Sequence, residues 1–349
     1  MAETRADPTG LAAAVVRWQR SHGRPTLPWQ NTRDPYRVWL SEIMLQQTQV
    51  STVLGYYERF LQRCPTVTAL ADTPLDDVLT LWSGLGYYSR ARNLHRAAQT
   101  VRDAHGGVFP ASAAALAELP GIGRSTAAAI AAFCFGERVA ILDGNVKRVL
   151  SRALAFGDDL ASTRAERVLW QHATDLLPTD PADMPAYTQG LMDLGATVCA
   201  VREPNCLLCP LQAGLCAARA AGTMRDYPVK TRKLVRKARS SCWLWLEAEG
   251  AIWLEQRPAT GVWAGLWTLP LFDTAAELLA ALPAWGLDGE PVFLPAIDHA
   301  LTHLDWRLQP CQLRLAQQPG LARDGRWVPG SDLSDIARPA PLRKLLAGV

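Results

Sequence analysis

The sequence predicts a chain in two parts: a mainly α-helical part up to about residue 225 and a smaller α+β domain after it. Apolar residues recur at helical spacing in the first part, as in Thr48–Leu61, Leu75–Trp82 and Ser89–Val101. Four of the eight cysteines crowd into residues 199–216, near its end. After about residue 240, apolar and polar residues alternate in short runs, which is typical of strands.

Length and composition limit the class of protein. The 349 residues are 49% hydrophobic and 20% charged, so the chain is long enough for two or three domains with buried cores. A net charge of +3 is too small to indicate a nucleic-acid partner by itself. No apolar run approaches the length of a membrane span, and the clustered cysteines favour a metal centre in a reducing cytoplasm over disulfides. We therefore expect a cytoplasmic protein that does not enter the membrane.

The first segment that could carry chemistry is the helix predicted to begin after Asp34, where Asp34 suits the cap and Pro35 the first turn. Glu42 interrupts the mostly apolar face of this helix. No basic residue lies three or four positions from Glu42; the residues there are Val38, Trp39, Leu45 and Gln46. Desolvation should raise its pKa, so that it is protonated at neutral pH and can act as a general acid. The alternative is a salt bridge with a distant arginine or lysine.

A tight turn, Gly84-Leu85-Gly86-Tyr87-Tyr88, presents two aromatic side chains beside Arg90 and Arg92. It is either a plain helix connection with core tyrosines or an aromatic wedge flanked by phosphate-binding arginines, as in proteins that unstack a duplex.

A second turn, Leu119–Arg124, joins the predicted helices Ala111–Glu118 and Ser125–Cys134. Gly121 and Gly123 let backbone N–H groups at the start of the second helix bind a phosphate. About one helix later, Asp143 suits the N-cap of a helix through Val149 and Leu154, and a capping carboxylate can also be catalytic.

The clustered cysteines are spaced Cys199-x6-Cys206-x2-Cys209-x6-Cys216. Four thiolates so close together would repel one another unless a metal neutralised their charge, and four-cysteine zinc is the general alternative to an iron–sulfur cluster.

The basic segment Arg225–Arg239 suits a linker lying against a DNA backbone. Beyond it, Trp243–Glu247 and Ala251–Glu255 are predicted to form a hairpin. The remaining predicted elements are three strands and a closing helix: Leu266–Leu271, Pro291–Leu294, Trp306–Leu315 and Pro341–Leu346.

The order of these segments and their amino-acid sequences resemble those of the helix-hairpin-helix DNA glycosylases, and within them the adenine-specific MutY type. The stretches that match are Trp39–Val50, Gly84–Leu94, Leu119–Ile130, Ile141–Arg148 and the four cysteines. The resemblance extends over most of the chain. It implies a base-excision-repair enzyme that hydrolyses the N-glycosidic bond of adenine paired with 8-oxoguanine or guanine in double-stranded DNA. It also implies a monomer, associated with the nucleoid through DNA.

The resemblance assigns roles to individual residues. Glu42 is similar to the family's general acid, and Asp143 to the carboxylate that stabilises the sugar carbon after the base leaves. Asn145 resembles a supporting amide, while Gln47 and Tyr87 resemble the residues inserted into the opened base stack. Further DNA contacts are expected from Gln46, Thr48, Arg90, Gly121, Gly123, Lys147 and Arg202.

Ser125 distinguishes two branches of the superfamily. The bifunctional, endonuclease III type has a lysine here that attacks the sugar as a Schiff-base nucleophile. A hydroxyl cannot form an imine, so the resemblance implies base removal with water as the final acceptor and no efficient strand cleavage. Lys147 lies nearby in sequence and could form an adventitious imine.

The resemblance also implies a [4Fe–4S] cluster on the four cysteines. The family's last cysteine spacing is usually five residues, whereas here it is six. The expected domains are an iron–sulfur helical domain (1–27 and 138–225), a six-helix barrel with the helix-hairpin-helix (28–137), a basic linker (226–240) and a Nudix-like recognition domain (241–349).

Arg257–Trp267 resembles the opening of a Nudix-like fold. A Nudix hydrolase needs a cluster of glutamates for magnesium, and Ala275–Leu279 offers only one, so we do not expect hydrolysis. The resemblance implies instead a reader of the oxidised guanine opposite the adenine. The family's recognition loop is usually Phe-Ser-His, and here Leu301-Thr302-His303 keeps a hydroxyl and the imidazole but loses the aromatic ring.

Two alternatives remain. One is a bifunctional glycosylase acting on oxidised pyrimidines, against which stand Ser125 and the extra domain. The other is a non-catalytic DNA-binding clamp, against which stand only Glu42 and Asp143.

Overall fold

The computed structural model describes residues 8–212, 214–231 and 235–347. The helices of the first part are α1 (Pro8–His22), α2 (Pro35–Leu45), α3 (Val50–Arg63), α4 (Val67–Asp72), α5 (Leu75–Leu81), α6 (Ser89–His105), α7 (Ala113–Ala117), α8 (Arg124–Phe135), α9 (Gly144–Ala153), α10 (Thr163–Asp175), α11 (Met184–Thr197) and α12 (Ala217–Ala220). The predicted helices of this part are therefore present. None of the described helices is both long and apolar enough to cross a membrane.

Capping residues begin several of these helices where the sequence predicts them. The Asp34 carboxylate accepts a hydrogen bond from the Tyr36 backbone N–H at 2.9 Å, and Pro35 follows it at the first helical position of α2. The Asp143 carboxylate accepts from the Val146 backbone N–H at 2.7 Å and caps α9. These caps fix where Glu42 and Asn145 lie along their helices.

The chain divides into two compact units. Within its described residues, the first unit comprises 8–49, 66–68 and 96–231. Its core is formed by the apolar faces of α1, α8, α9, α10 and α11, where Leu11, Val15, Leu150, Leu169 and Leu194 are fully buried. This unit contains the capped helices α2 and α9 and all four clustered cysteines.

The second unit comprises residues 50–65, 69–95 and 235–347 of the described chain. Its strands are β1 (Lys237–Ala248), β2 (Ala251–Gln256), β3 (Trp267–Thr268), β4 (Leu271–Phe272), β5 (Val292–Phe293), β6 (Ile297–Ala300), β7 (Leu304–Leu315) and β8 (Arg326–Pro329). The helices α13 (Ala275–Ala284) and α14 (Ala340–Ala347) belong to it as well.

The strands form one sheet in the order β3-β2-β1-β7-β5, with β4 on β1, β6 on β7 and β8 on β2. β1 and β7 are parallel, from Lys237 opposite Leu304 to Ala248 opposite Leu315. Both faces of β1 are covered. Leu244 and Leu246 pack in a cluster with α13, while Trp243 stacks on Trp263 at a ring distance of 5.6 Å.

The predicted hairpin of β1 and β2 is present, as are strands within two of the other predicted runs and the closing helix. The predicted strand Leu266–Leu271 is divided into β3 and β4, and Pro270, which has no N–H for a ladder, lies between them. α13, β6 and β8 were not predicted.

The predicted basic linker 226–240 overlaps β1, which begins at Lys237. Arg232 and Lys233 lie outside the described residues. The predicted domain boundaries stay a prediction.

Candidate active site

Glu42 lies on the third turn of α2, half-buried beside the fully buried Trp39 and Leu40. Burial, and after it the charge of Asp143, raises the pKa of its carboxyl to about 8. Glu42 is therefore protonated at neutral pH, as the sequence predicts for an acid on an apolar face.

Asp143 combines a cap with a partly desolvated carboxylate. Burial raises its pKa, while hydrogen bonds from the backbone N–H groups of Val146 and Asn145 and the charges of Arg148 and Lys147 oppose the rise. These contacts favour the ionised form. The site thus places the protonated carboxyl of Glu42 near the carboxylate of Asp143, which hydrogen-bond donors and positive charges stabilise.

Asn145 is held from two sides. Its side-chain oxygen accepts a hydrogen bond from Arg148 at 2.8 Å, and the same guanidinium donates to the carbonyls of Gly195 at 2.7 Å and Cys199 at 2.8 Å. A Cβ at Gly195 would lie 2.6 Å from the Cβ of Asn145. α9 and α11 can therefore approach this closely only because position 195 has no side chain.

Ser125 lies in the first turn of α8, and its hydroxyl accepts a hydrogen bond from the Leu142 backbone N–H at 3.0 Å. This contact connects the start of α8 to the residue before Asp143. Gly121 has a φ of +77°, which favours glycine, and Gly123 is the N-cap of α8 with no neighbour within 4 Å of its Cβ position. The exposed helix start can accept an anion at its backbone N–H groups.

A pocket of about 380 Å³ opens beside Glu42. Its lining includes Trp29, Gln30, Arg33, Phe133 and Gln189. The side-chain nitrogen of Gln30 is buried and has no hydrogen-bond partner among the described residues, whereas that of Gln189 donates to Asp193 at 2.9 Å. The pocket has the size of a small-molecule site.

Residues 46–48 form the turn that follows α2. Gln46 lies at the C-cap and its amide donates to Thr126 at 3.5 Å, while the Thr48 backbone N–H donates to Leu45 at 3.3 Å. Gln47 is exposed and has a φ of +57°, a backbone conformation that residues other than glycine rarely adopt.

Tyr87 has the same unusual backbone, with a φ of +48°, and its side chain is 44% exposed. Its hydroxyl lies 3.1 Å from that of Thr302, in the hairpin turn between β6 and β7. The backbone carbonyl of His303 in this turn accepts from Lys237 at 3.1 Å, and its side chain is exposed. The two residues predicted to enter the base stack, Gln47 and Tyr87, thus share a strained, exposed conformation.

Arg90 does not have the placement expected of a phosphate-binding residue. Only 8% of it is exposed, its guanidinium donates to the carbonyls of Leu85 and Gly86 at 3.2 Å, and it lies over the rings of Trp82 and Tyr87. Burial lowers its pKa to about 10. Arg90 supports the turn that carries Tyr87.

The remaining predicted DNA contacts are on the surface of the first unit. The Lys147 ammonium pairs with Glu166 at 2.5 Å, and Arg202 is exposed in the cysteine segment.

The four thiols of Cys199, Cys206, Cys209 and Cys216 line one cavity. Burial, then the neighbouring cysteines, raises the pKa of Cys209 to about 11, so a metal must displace its proton. Ala213 in the last interval lies outside the described residues. Within the described chain, no group of three or more His, Cys, Asp or Glu side chains is gathered as for a single metal ion.

Two buried arginines adjoin this cavity. Arg152 is 2% exposed and donates to the sulfur of Cys199 at 3.3 Å and to the carbonyls of Ala200 and Val201 at 2.6 and 2.9 Å. Arg148 is 9% exposed. Within the described part of the chain, neither forms a salt bridge with a carboxylate. Buried charges need compensation, and a cluster of thiolates carries charge of the opposite sign, so this donor set fits a thiolate-bound metal group.

Residues 40–173 match the family described as HhH-GPD superfamily base excision DNA repair protein, and residues 242–348 match the NUDIX domain. An adenine DNA glycosylase of Buchnera aphidicola subsp. Baizongia pistaciae is 34% identical over 339 residues, covering 96% of this chain and 95% of that protein. The human adenine DNA glycosylase is 37% identical over 319 residues, covering 76% of this chain and 58% of that protein.

Solved structures support the fold of the first part. A thermostable thymine-DNA glycosylase matches with a TM-score of 0.54 and 27% identity, covering 63% of this chain and 100% of that one. Endonuclease III in a non-covalent DNA complex matches with a TM-score of 0.50 and 20% identity, covering 62% of this chain and 97% of that one, which is a likeness of fold alone.

Proposed function

The chain belongs to the adenine DNA glycosylase family, and from this premise we propose that it excises adenine paired with 8-oxoguanine or guanine in double-stranded DNA. The observation that carries the proposal is Glu42, a carboxyl with a pKa of about 8 at the side of a ligand-sized pocket and within electrostatic reach of Asp143. A proton donor beside a carboxylate is what cleavage of a glycosidic bond requires.

The pocket beside Glu42 would receive the flipped adenine. Adenine presents an amino donor next to a ring-nitrogen acceptor, and a glutamine amide can satisfy both. The buried amide nitrogen of Gln30 is a donor without a protein partner. The amide nitrogen of Gln189 is already used by Asp193, so its oxygen is left to accept from the adenine amino group.

In the chemical step, Glu42 gives its proton to a ring nitrogen of adenine. The bond between the sugar carbon and the base then breaks, and its electron pair leaves with the base. The carboxylate of Asp143 stabilises the sugar cation, or bonds to it briefly. The hydroxyl of a water molecule finally adds to the sugar carbon, and the water's second proton returns to a carboxylate.

Ser125 would make the enzyme monofunctional. Its hydroxyl cannot form an imine with the sugar, and it is already an acceptor for the Leu142 N–H. Lys147 is tied to Glu166, which leaves its amine paired rather than poised as a nucleophile. Base removal would therefore leave the strand intact.

Cys199, Cys206, Cys209 and Cys216 would hold a [4Fe–4S] cluster, because all four thiols line one cavity and two buried arginines offset their charge. The cluster, when bound, would cross-link the cysteine segment. Arg148 would connect this segment to Asn145, since it contacts the carbonyl of Cys199 and the side chain of Asn145 together.

Recognition of the opposite base would fall to the second unit, through Tyr87, Thr302 and His303. The hydrogen bond between Tyr87 and Thr302 supports this assignment, because it joins the inserted residue to the predicted reading loop. The single glutamate of α13, Glu277, accepts from the Asp273 N–H, and its own N–H donates to the hydroxyl of Thr274, which caps that helix. A single glutamate in this helix falls short of the cluster that a Nudix hydrolase needs for magnesium, which favours a reading role.

The active form would be a cytoplasmic monomer associated with nucleoid DNA. The exposed Lys230, Arg236 and Lys237 and the start of α8 would contact backbone phosphates.

A single-turnover assay on duplexes that differ only in the target pair tests the proposal. Adenine should be released opposite 8-oxoguanine and guanine, and not opposite thymine. Release of an oxidised pyrimidine with strand cleavage, or no release from any duplex, would contradict it.

A further inference from the structure

Two arginines near the end of the chain border the turn that carries Tyr87. Arg338 precedes α14, and Arg343 lies within that helix. A Cβ added at Gly84 would lie 3.4 Å from a terminal nitrogen of Arg343, and the Tyr88 hydroxyl donates to the backbone carbonyl of Arg338 at 3.2 Å. The start of α14 and the residues before it therefore pack on this turn.

Neither of these arginines has an anionic partner in the part of the chain that the structure describes. Both are half-buried, and the Nε of each is buried without a hydrogen-bond acceptor there. The carboxylate nearest to them in sequence, that of Asp335, accepts instead from the Ser334 hydroxyl at 3.0 Å. A buried donor without an acceptor is unfavourable, and a charged donor is best satisfied by an anion.

The two guanidinium groups lie close enough to repel each other. Burial, and after it the charge of Arg343, lowers the pKa of Arg338. Elsewhere in the same unit a carboxylate compensates such a charge, as Glu255 does for Arg323 at 2.7 Å. Two like charges held together without a carboxylate create a local positive potential, which a bound anion would relieve.

A further positive charge adjoins the same turn from α3. Arg59 lies over the ring of Tyr56, 4.4 Å from its centroid, and its Nε donates to the carbonyl of Gly55 at 3.2 Å. The Tyr56 hydroxyl in turn donates to the carbonyl of Ser83 at 2.8 Å. Arg59 is exposed and, among the described residues, pairs with no carboxylate. Positive charge therefore reaches the turn from α3 as well as from α14.

The surroundings of these arginines indicate the kind of anion. Gly84 and Tyr87 are exposed, so the charges border an open turn, whereas a small anionic ligand is normally enclosed in a cleft. A backbone phosphate of DNA carries a single negative charge and is presented on an extended surface, and arginine is a common donor to it.

We infer that Arg338 and Arg343 bind a backbone phosphate of the DNA strand that Tyr87 enters, and that Arg59 adds to the positive potential there. The inference rests on the proposed function, because it takes Tyr87 as the inserted residue. It adds a DNA contact at α14 to those of the predicted reading loop. The contact holds the strand in place while Tyr87 occupies the base stack.

Duplex binding measured at several salt concentrations tests this inference. Each phosphate contact releases counterions, so Arg338→Gln combined with Arg343→Gln should reduce the slope of log K against log salt by about one and weaken binding of undamaged duplex at low salt by about fivefold or more. Arg338→Lys combined with Arg343→Lys should keep most of both, because an ammonium also binds phosphate.

Arg314→Gln is the control for loss of charge. Arg314 lies at the end of β7 remote from Thr302 and pairs with Glu247 at 3.6 Å. Its replacement should leave the salt slope unchanged. Thermal melting of every variant identifies folding failures.

Duplexes that each carry a single neutral methylphosphonate locate the contact. Neutralising a phosphate near the base opposite the adenine should weaken binding by the unmodified chain but not by the double glutamine variant, since the variant has already lost that contact. Equal sensitivity of the two proteins to every methylphosphonate would overturn the inference.

An unchanged salt slope in a folded double glutamine variant would show that the arginines only pack against the turn, and the inference would be wrong. The same loss of slope in the double lysine variant would also contradict it, because the charges are intact. Adenine release by the unmodified chain is measured separately. Its absence would contradict the glycosylase proposal, while the slopes and the methylphosphonate series would still decide whether Arg338 and Arg343 bind a phosphate.

Discussion

The hydroxyl of Tyr87 lies 3.1 Å from the hydroxyl of Thr302, although 215 residues separate them in the chain. Tyr87 holds a backbone conformation that is unfavourable for a tyrosine, with a φ of +48°. Arg90 supports the same turn by donating to the carbonyls of Leu85 and Gly86. Together these contacts hold an exposed aromatic ring beside the loop predicted to read the opposite base.

Replacing Thr302 and His303 together with alanine should lower the preference for 8-oxoguanine over guanine as the opposite base by about tenfold or more. The reason is that a polar contact discriminates between bases by about 1–3 kcal/mol. The measurement is the ratio of single-turnover excision rates on two otherwise identical duplexes. Tyr87→Phe, which keeps the ring but loses the hydroxyl, should lose part of the preference. An unchanged ratio in the double variant would place the reader elsewhere.

A fragment that ends near Arg225 is a poorer test of the same point. Residues 50–65 and 69–95 share a compact unit with residues 235–347, and Arg92 donates to the carbonyl of Ala264 at 2.8 Å. Truncation would therefore remove the reading loop and also the packing partners of residues 50–65 and 69–95.

Glu42→Gln should reduce excision by about a hundredfold or more, on the usual contribution of a general acid, while duplex binding is kept. It should also raise the melting temperature. The folded carboxyl has a pKa of about 8 against an ordinary 4.5, so the unmodified protein loses stability as the pH rises between these values. The advantage of the glutamine variant should thus be small at pH 5 and largest near pH 8. Wild-type excision, or a lower melting temperature at pH 8, would contradict the assignment.

The pH dependence of excision should report the same proton. Because Glu42 must be protonated to act, the single-turnover rate should be highest below its pKa of about 8 and fall about tenfold per pH unit above it. Duplex binding measured at each pH is the control. A rate that rises through pH 8 would indicate a base with that pKa in place of an acid.

Ser125→Lys should gain strand cleavage, with a covalent intermediate that borohydride traps, because only an amine can form the imine. The unmodified chain should release adenine and leave the strand intact until alkali is added. Lys147→Gln is the companion variant, since it removes the nearby amine. If borohydride trapped the unmodified chain efficiently, and trapped Lys147→Gln equally well, the enzyme would be bifunctional. Its nucleophile would then be an amine other than that of Lys147.

Protein prepared without oxygen should be brown and contain about four iron atoms per chain, without stoichiometric zinc. Cys216→Ser should lose iron and melt at a lower temperature, because the cavity would lack one thiolate. Cys134→Ser is the control, as Cys134 does not line the cavity. One zinc per chain would overturn the cluster assignment.

Features of the site that are determined by residues within about one helical turn of each other could be predicted from the sequence. Asp34 and Asp143 are caps with local signals, and an acid on an apolar face predicts the raised pKa of Glu42. The pocket could not be predicted, because Gln30, Phe133 and Gln189 come from distant parts of the chain and none has a local pattern.

Arg90 shows a second kind of limit. The sequence places a positive charge beside two tyrosines, but only the fold determines that the guanidinium is buried and occupied by backbone carbonyls. Likewise, the connection of Asn145 to the cysteine segment through Arg148 depends on how closely α9 and α11 pack.

That packing makes Gly195 a point of genetic vulnerability. Any missense change there adds a Cβ 2.6 Å from that of Asn145, so one of the two helices must move. Every acid, base and thiol would still be encoded, yet Asn145 and the adjoining Asp143 would no longer be held in the same place. An assessment of variants that considered only the catalytic and metal-binding side chains would score such an allele as harmless.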